Sequence, residues 1–444
     1  MAARSTSTST PSLGSLHHQL LPSYRTVVDH TLLSPVVTGA LLFLANRRNH
    51  NNRSRIVPSI AAVRILKILF TVGLVTQVNR FLNRLALNHW HLRKQGAPWE
   101  FQTEGKETIV VTGGCSGFGK AMVKMFAATT KANLVVLDIQ ELPADLENIP
   151  RLHYFPIDLT KPESIIATTT RLLETVTPPP TVLINNAGIA QAHTLLETSD
   201  AFLDKIFRVN VLSHFTLLRL LLPEMLARRK GHIVTLASMA SYTGLASLAD
   251  YAATKAAVLG LHESLVQELT HRYSHVGSNA GSNAGGSSGS NAGGTGGNGG
   301  DTPGGSNAGG NGGDFPGGTG GPGGTGGGNG GDTPGGNGDN PGHSIQASII
   351  HPMWARTALI GSWESALTQS GTPVLTAEDV AGRAVDQVLS GRSGSVYVPA
   401  KMCIGPLLRC LPDWLAIWIR DGVQKATATT TTTATTEEKK ALSS

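Results

Sequence analysis

The amino-acid sequence predicts an α/β fold, a doubly wound parallel sheet of about seven strands with helices on both faces. Two observations predict it. From Glu107 onward, short apolar runs alternate with amphipathic stretches of helical period. This alternation is the pattern of crossover units, which build a parallel sheet covered on both sides. A glycine-rich turn also stands between the first apolar run and the first amphipathic stretch.

The elements follow in order. Strands are expected at 107–112, 133–138, 152–157, 181–186, 231–238, 345–350 and 395–398. Helices are expected at 117–129, 162–176, 202–229, 250–272 and 376–389, the last opening on Thr376 and Asp379 in a capping arrangement. The domain so defined spans 106–275 and 344–400 and is interrupted by residues 277–342, almost all Gly, Asn, Ser, Thr, Asp, Pro and Ala. Such a segment has no apolar surface to bury and is expected to be disordered. It leaves after a helix and returns into a strand, so it belongs at the amino edge of the sheet. Lengthening a short loop to this size costs only about 2 kcal/mol of closure entropy, and tolerance rather than function is expected of it.

The flanks differ in character. Residues 1–29 are Ser- and Thr-rich with no acidic residue before Asp29, which fits a disordered tail and also a mitochondrial presequence. Residues 30–82 form a membrane-anchoring apolar region. His30–Asn46 carries no charge and is at the short limit of a span, with Arg47, Arg48, Arg53 and Arg55 after it placing that side in the cytosol. Ile56–Val78 contains Arg64 and Lys67 and fits an interfacial helix or half of a membrane hairpin. Both stretches could instead pack as soluble helices on the catalytic part. Residues 401–425 carry Leu407, Leu408, Leu411, Trp414, Ile417 and Trp418, which suit a lid, a membrane contact or an ordinary docked helix. The Thr-rich 426–444 tail is expected to be disordered.

The net charge of +6 and pI of about 9.3 call for an anionic partner. The positive residues form no nucleic-acid-like patch and cluster beside apolar sequence, which points to a membrane surface and not to nucleic acid. Cys115, Cys403 and Cys410 fit neither a disulfide framework nor a zinc site, so no metal is expected.

Chemistry concentrates in four places. Thr112-Gly113-Gly114-Cys115-Ser116-Gly117-Phe118-Gly119 follows a strand and opens a helix, where glycines let the backbone approach a pyrophosphate and free amides face it. Asp138 ends the next strand, 19 residues after Gly119, where a carboxylate accepts ribose hydroxyls and repels a 2′-phosphate. With no Arg or Lys in the loop before Gly119, the pattern favours NAD over NADP. Asn185-Asn186-Ala187-Gly188 follows the fourth strand. Tyr251 and Lys255 share one helix face four residues apart, and Ser238 lies thirteen residues before the tyrosine. A neighbouring ammonium is expected to lower the phenol's pKa, making it fit for proton exchange with an alcohol.

In this order the landmarks resemble the short-chain dehydrogenase/reductase family, over somewhat more than half of the chain. The resemblance implies a Rossmann-type fold and an oxidoreductase acting on an alcohol or its carbonyl. It implies a catalytic set of Asn210, Ser238, Tyr251 and Lys255, with Tyr251 as acid/base, Ser238 on the substrate oxygen, Lys255 also on the nicotinamide ribose, and Asn210 supporting a water relay. It places Thr112, Gly113, Ser116, Gly117, Phe118, Gly119, Asp138, Asp158, Leu159, Asn186, Ala187, Gly188, Tyr251, Lys255, Pro352 and Thr357 around the cofactor. Where the family has Pro-Gly after the sixth strand, this chain has Pro352-Met353, which leaves the local backbone path open. The anchor, the Leu-Asp-Ile run and the Trp-bearing carboxyl end resemble the retinol and 17β-hydroxysteroid dehydrogenase branch. That branch implies a lipophilic substrate, such as a steroid, retinoid or long-chain lipid. It also implies endoplasmic reticulum or lipid-droplet membranes and a cytosolic catalytic domain. A homodimer through the two long helices is implied by the family. Substrate is expected to enter over 353–373, past Trp354, Leu359, Ile360 and Trp363. Two other readings stay open: an NADP-dependent carbonyl reductase, and an inactive membrane-anchored scaffold that recruits partners through the insert.

Overall fold

The apolar runs become seven strands: β1 (Thr108–Thr112), β2 (Asn133–Asp138), β3 (Leu152–Pro156), β4 (Val182–Asn185), β5 (Gly231–Leu236), β6 (Ile345–Pro352) and β7 (Gly394–Val398). They pair in parallel throughout, in the order β3-β2-β1-β4-β5-β6-β7. The structure is a computed structural model and describes residues 33–50, 60–273, 340–356 and 374–428. The N-terminal tail, the insert before Asn340, Thr357, the Leu359, Ile360 and Trp363 part of the substrate route, and the end of the chain lie outside the described residues.

Helices α3 (Gly117–Thr129), α4 (Ala144–Glu147), α5 (Pro162–Thr175), α6 (Asp200–Phe207), α7 (Ser213–Ala227), α8 (Ala249–His271) and α9 (Ala377–Ser390) fill the connections, after α1 (Pro35–His50) and α2 (Ile60–Ala86). Because side chains alternate along a strand, β1 serves two cores. Ile109 and Val111 pack with Met122 and Phe126 of α3 and Val380 and Ala384 of α9. Val110 packs on the other face with Leu172 of α5, Leu217 and Leu221 of α7 and Leu265 of α8. Helix α9 opens on the expected capping box. Thr376 Oγ1 accepts from Asp379 N at 3.1 Å, and the Asp379 carboxylate accepts from Thr376 N at 2.9 Å.

One expected element is divided. The 202–229 stretch is α6 and α7 joined by a π-helical turn, Arg208–Leu212. Such a turn carries an extra residue and commonly marks a functional position. Here it carries Asn210.

Helix α8 and the end of the insert meet at the amino edge of the sheet. Asn340 Nδ2 donates to the carbonyls of Leu269 and Thr270 at 3.2 and 3.1 Å, holding the returning chain to the end of α8. At the other terminus α1 packs against α2, with Gly39 on the Phe70 ring and Gly73 on the Leu33 carbonyl. Helix α2 has 27 residues, roughly 40 Å of helix. Its most apolar stretch is only 6% buried, whereas that of the less apolar 200–227 segment is 61% buried and belongs to the core. The carboxyl end is an extended 3₁₀ segment, Ala400–Cys410, followed by α10 (Asp413–Ala428).

Candidate active site

Ligands of a doubly wound sheet bind beyond the carboxyl ends of the strands, at the point where strand order reverses. Here that point lies between β1 and β4, and a cleft of about 490 Å³ opens there. The expected residues Gly113, Ser116, Gly117, Phe118, Asp138, Asp158, Leu159, Asn186, Ala187, Gly188, Ser238, Tyr251, Lys255 and Pro352 all line it. Thr112, Gly119 and Asn210 are buried behind that lining.

The buried residues build the cradle. Thr112 Oγ1 accepts from the amides of Asn186 and Ala187, both at 3.0 Å. Asn186 Nδ2 donates back to the carbonyls of Thr112 and Gly113 at 2.8 and 3.2 Å. The glycine turn and the Asn-Asn-Ala-Gly run are thus tied across neighbouring strands. Gly113 needs its left-handed backbone, at φ 67°. Gly119 needs its missing side chain: an added Cβ would stand 2.0 Å from the Gly113 carbonyl oxygen. A backbone this closely drawn around the start of α3 suits a dinucleotide phosphate.

Asp138 accepts from the Cys115 amide at 2.8 Å and the Gln140 amide at 3.0 Å, which fixes its carboxylate at the cleft wall. Burial, with Asp138 second, pushes the Cys115 thiol up to about 12, so it stays protonated. Asp158 closes a turn on Thr160, whose hydroxyl hydrogen bond holds the carboxyl below its usual range.

Asn210, Ser238, Tyr251 and Lys255 converge from three elements. Lys255 is buried, donates to the Leu236 carbonyl at 2.7 Å, and is pulled down to about 8 by burial. Asn210 uses its amide on Ile189, accepting from N at 2.8 Å and donating to O at 2.9 Å, and donates to Thr254 Oγ1 at 3.1 Å. Ser238 Oγ accepts from the Ala240 amide at 3.1 Å and hydrogen-bonds the Tyr251 side chain.

The expectation of a lowered Tyr251 pKa is corrected. Burial raises it to about 12, and the opposing influence comes from the Ser238 hydroxyl. The Lys255 ammonium lies 5.7 Å from the ring centroid, and its hydrogen bond goes to the backbone. The Pro352-Met353 departure leaves the path intact. Met353 N donates to the Val398 carbonyl at 2.8 Å, and the added side chain lines a second cavity.

That second cavity, of about 140 Å³, adjoins the first. Ser238, Tyr251, Ala190, Met353 and Trp354 line both. Its other walls are mostly apolar and include Met239, Leu245, Leu248, and Met402, Leu408 and Ile419 from the carboxyl end. Sequence reasoning named the 401–425 segment but not these contacts, because they depend on how the segment folds back. Ala190, Leu236 and Ala237 were also missed, though each lies within two residues of a named position.

The chain matches the short chain dehydrogenase family over residues 107–278. Dehydrogenase RED2 of Cochliobolus heterostrophus is 35% identical over 205 residues, 46% of this chain and 74% of that protein. This chain belongs to the short-chain dehydrogenase family. It is an NAD(P)-dependent oxidoreductase of CH–OH groups, with a small-molecule alcohol or carbonyl as substrate. The steroid dehydrogenase branch is represented among its relatives. The 17-beta-hydroxysteroid dehydrogenase 13 of Rattus norvegicus is 31% identical over 211 residues, 46% of this chain and 67% of that protein. Human estradiol 17-beta-dehydrogenase 11 is 32% identical over 169 residues, 37% of this chain and 56% of that enzyme. A solved 4-hydroxyisoleucine dehydrogenase complexed with NADH aligns with a TM-score of 0.44 at 19% identity, over 66% of this chain and 96% of that one.

Proposed function

We propose that this short-chain dehydrogenase is a membrane-associated, NAD-dependent enzyme that interconverts a lipophilic alcohol and its carbonyl. One observation carries the reading: Ser238 and Tyr251 stand at the junction of the phosphate-cradling cleft and the smaller apolar cavity. A substrate oxygen at that junction reaches both hydroxyls while its hydrocarbon part leaves water.

The cradle residues and Asp138 fit a dinucleotide, which supplies the hydride chemistry when bound. The Asp138 carboxylate favours ribose hydroxyls over a 2′-phosphate, and the nearby Lys120 is committed to Asp145 at 2.8 Å. That supports NAD over NADP. In oxidation the Tyr251 oxygen takes the substrate's hydroxyl proton, and in reduction it returns one. Ser238 donates to the substrate oxygen and steadies charge there. Lys255 places a cation beside Tyr251, and Asn210 fixes the 189–190 backbone that borders the site. Membrane association rests on α2, whose apolar surface is left uncovered, and on Trp414 and Trp418, which are 72% and 70% exposed.

The test is a panel of steroids, retinoids and long-chain alcohols, assayed with NAD and with NADP on the full chain in lipid vesicles. Turnover of at least one apolar alcohol is expected, with Tyr251→Phe abolishing turnover and leaving NADH affinity nearly unchanged. Full activity in Tyr251→Phe would refute the assignment of Tyr251. Activity confined to small water-soluble alcohols would refute the substrate class.

A further inference from the structure

Behind Ser238 lies a second set of polar side chains that the chemistry above does not use. His351 is the second-last residue of β6 and is fully buried. Its register partner on β7 is Tyr397, and the two rings stack 5.0 Å apart at 15°. Both ring nitrogens are engaged. Nδ1 lies 3.2 Å from the Ser238 carbonyl oxygen, and Nε2 lies 3.2 Å from the Tyr242 hydroxyl. That hydroxyl is in turn 3.3 Å from the Tyr397 hydroxyl.

The direction of every hydrogen in this chain is forced. A carbonyl only accepts, so Nδ1 carries the imidazole hydrogen. Nε2 of the neutral ring then only accepts, so Tyr242 donates to it. The Tyr242 oxygen is left to accept from Tyr397. Burial pushes the His351 pKa down to about 4, which keeps the ring neutral. Lys255 on α8 adds its charge against protonation; His262 on the same helix faces the ring but is itself held down to about 4 by burial and stays neutral, and Glu263 and Arg409 reach the Tyr242 end.

We propose that His351 is a positioning residue for the reaction, fixing the Ser238 turn through this one-directional chain so that the serine hydroxyl is presented to Tyr251. The inference rests on the role given to Ser238 above. The turn is held on several sides. The Ser238 carbonyl also accepts from the Ser241 amide at 3.0 Å, and its Oγ accepts from Ala240 N at 3.1 Å. The Ala240 bond occupies one lone pair of Oγ and fixes the oxygen in place, leaving the hydroxyl hydrogen free to be donated into the site. The carboxyl end grips the same turn. The Arg409 guanidinium donates to the Ser241 carbonyl at 2.7 Å and the Tyr242 carbonyl at 3.3 Å. Its 3₁₀ segment supplies Met402 and Leu408 to the apolar cavity. Seating of that segment and placement of Ser238 are therefore coupled.

The test uses His351→Leu, His351→Asn and Tyr242→Phe in the full chain. His351→Leu is expected to lower kcat about tenfold or more, with KM and NADH affinity nearly unchanged. The tyrosine limb of its kcat/KM–pH profile, which reports the substrate-free enzyme, should move to higher pH, because the Ser238 bond that favours the phenolate is loosened. His351→Asn, whose amide hydrogen can take the place of Nδ1–H, should recover most of kcat and of the pH profile. Tyr242→Phe should show a smaller loss with the same direction of pH shift. An active wild type matched by His351→Leu in kcat and profile overturns the inference alone. So does a Tyr242→Phe variant identical to wild type where His351→Leu fails to fold, or a folded His351→Asn no better than His351→Leu. Nitrogen-15 NMR of labelled histidine judges the network even if no alcohol is turned over. His351 is expected neutral near pH 7 with its hydrogen on Nδ1, and a hydrogen on Nε2 or a charged ring overturns the proposal.

Discussion

Replacing Gly119 by alanine tests the phosphate cradle without relying on catalysis. The new methyl carbon would stand 2.0 Å from the Gly113 carbonyl oxygen, 2.8 Å from its carbon and 2.7 Å from Asn186 Nδ2. Carbon–oxygen contacts in folded proteins do not close below 3.0 Å, so the Gly113 carbonyl must retreat by about 1 Å. It cannot do so freely. The Gly113 amide is held to the Leu137 carbonyl at 2.8 Å, and its own carbonyl accepts from Asn186 at 3.2 Å. Overpacking of this kind costs about 1–3 kcal/mol. Because the strain sits in the loop that would face the phosphates, we expect most of it to appear as weaker dinucleotide binding, about 10–100-fold. The melting temperature should also fall by a few degrees. The assay is fluorescence titration with NADH, with thermal unfolding run alongside. Gly260→Ala and Gly382→Ala are the controls, since both sit in helices with nothing within 4 Å of the added carbon. They should stabilise the chain by roughly 0.5–1 kcal/mol and leave NADH affinity alone. A Gly119→Ala protein that binds NADH like wild type would show that the 112–119 turn is not the cradle.

Two further outcomes follow, one from the site and one from the buried core. NADH should bind more than about tenfold tighter than NADPH, and Asp138→Ser should bring the two affinities together by removing the carboxylate; equal affinities in wild type would remove Asp138 from the ribose site. Acid should destabilise the fold, because burial holds His214 and His232 down to about 3, well below the unfolded value near 6.5. Below that value the unfolded chain binds protons that the folded chain refuses, so stability is lost as pH falls. Each such histidine contributes about 1.4 kcal/mol of loss between about pH 7.5 and about pH 5.5. Unfolding curves of His232→Gln should show a pH dependence flatter by about that amount, and an unchanged slope would mean that His232 is charged in the folded chain.

What the sequence made legible follows from the range of the forces involved. Strand and helix positions could be read because a parallel sheet buried on both faces demands continuous apolar runs, and β1 and β2 supply them at 108–112 and 133–138. The glycine turn and Asp138 could be read because their geometry is set within one crossover unit. The π-helical turn at Asn210 could not. Its sequence, Arg-Val-Asn-Val-Leu, is ordinary for a helix, and the extra residue is stabilised by the Asn210 bonds to Ile189, 21 positions away. The His351–Tyr242–Tyr397 chain was invisible for the same reason, since Tyr242, after β5, is 109 and 155 residues from its partners on β6 and β7. Met402 and Leu408 reach the apolar cavity by a fold-back that no periodicity encodes.

The tyrosine shows how a motif read from spacing can carry an incorrect energy. Spacing alone put an ammonium beside the phenol, and an ammonium favours the phenolate. The structure adds two facts that reverse the balance in the free chain. Lys255 is itself buried, its hydrogen bond goes to the Leu236 carbonyl, and its ammonium stands 5.7 Å from the ring centroid, so its charge is directed to the backbone and not to the phenol oxygen. Tyr251 loses hydration on the same helix face, and desolvation penalises its anion directly. The neutral phenol therefore prevails at rest, which is the form that gives a proton to a carbonyl oxygen. The group that works against desolvation here is Ser238, through its hydrogen bond to the tyrosine. In the reaction proposed above, placement of that serine by its own turn therefore bears on the tyrosine alongside the cation, although spacing advertised only the cation.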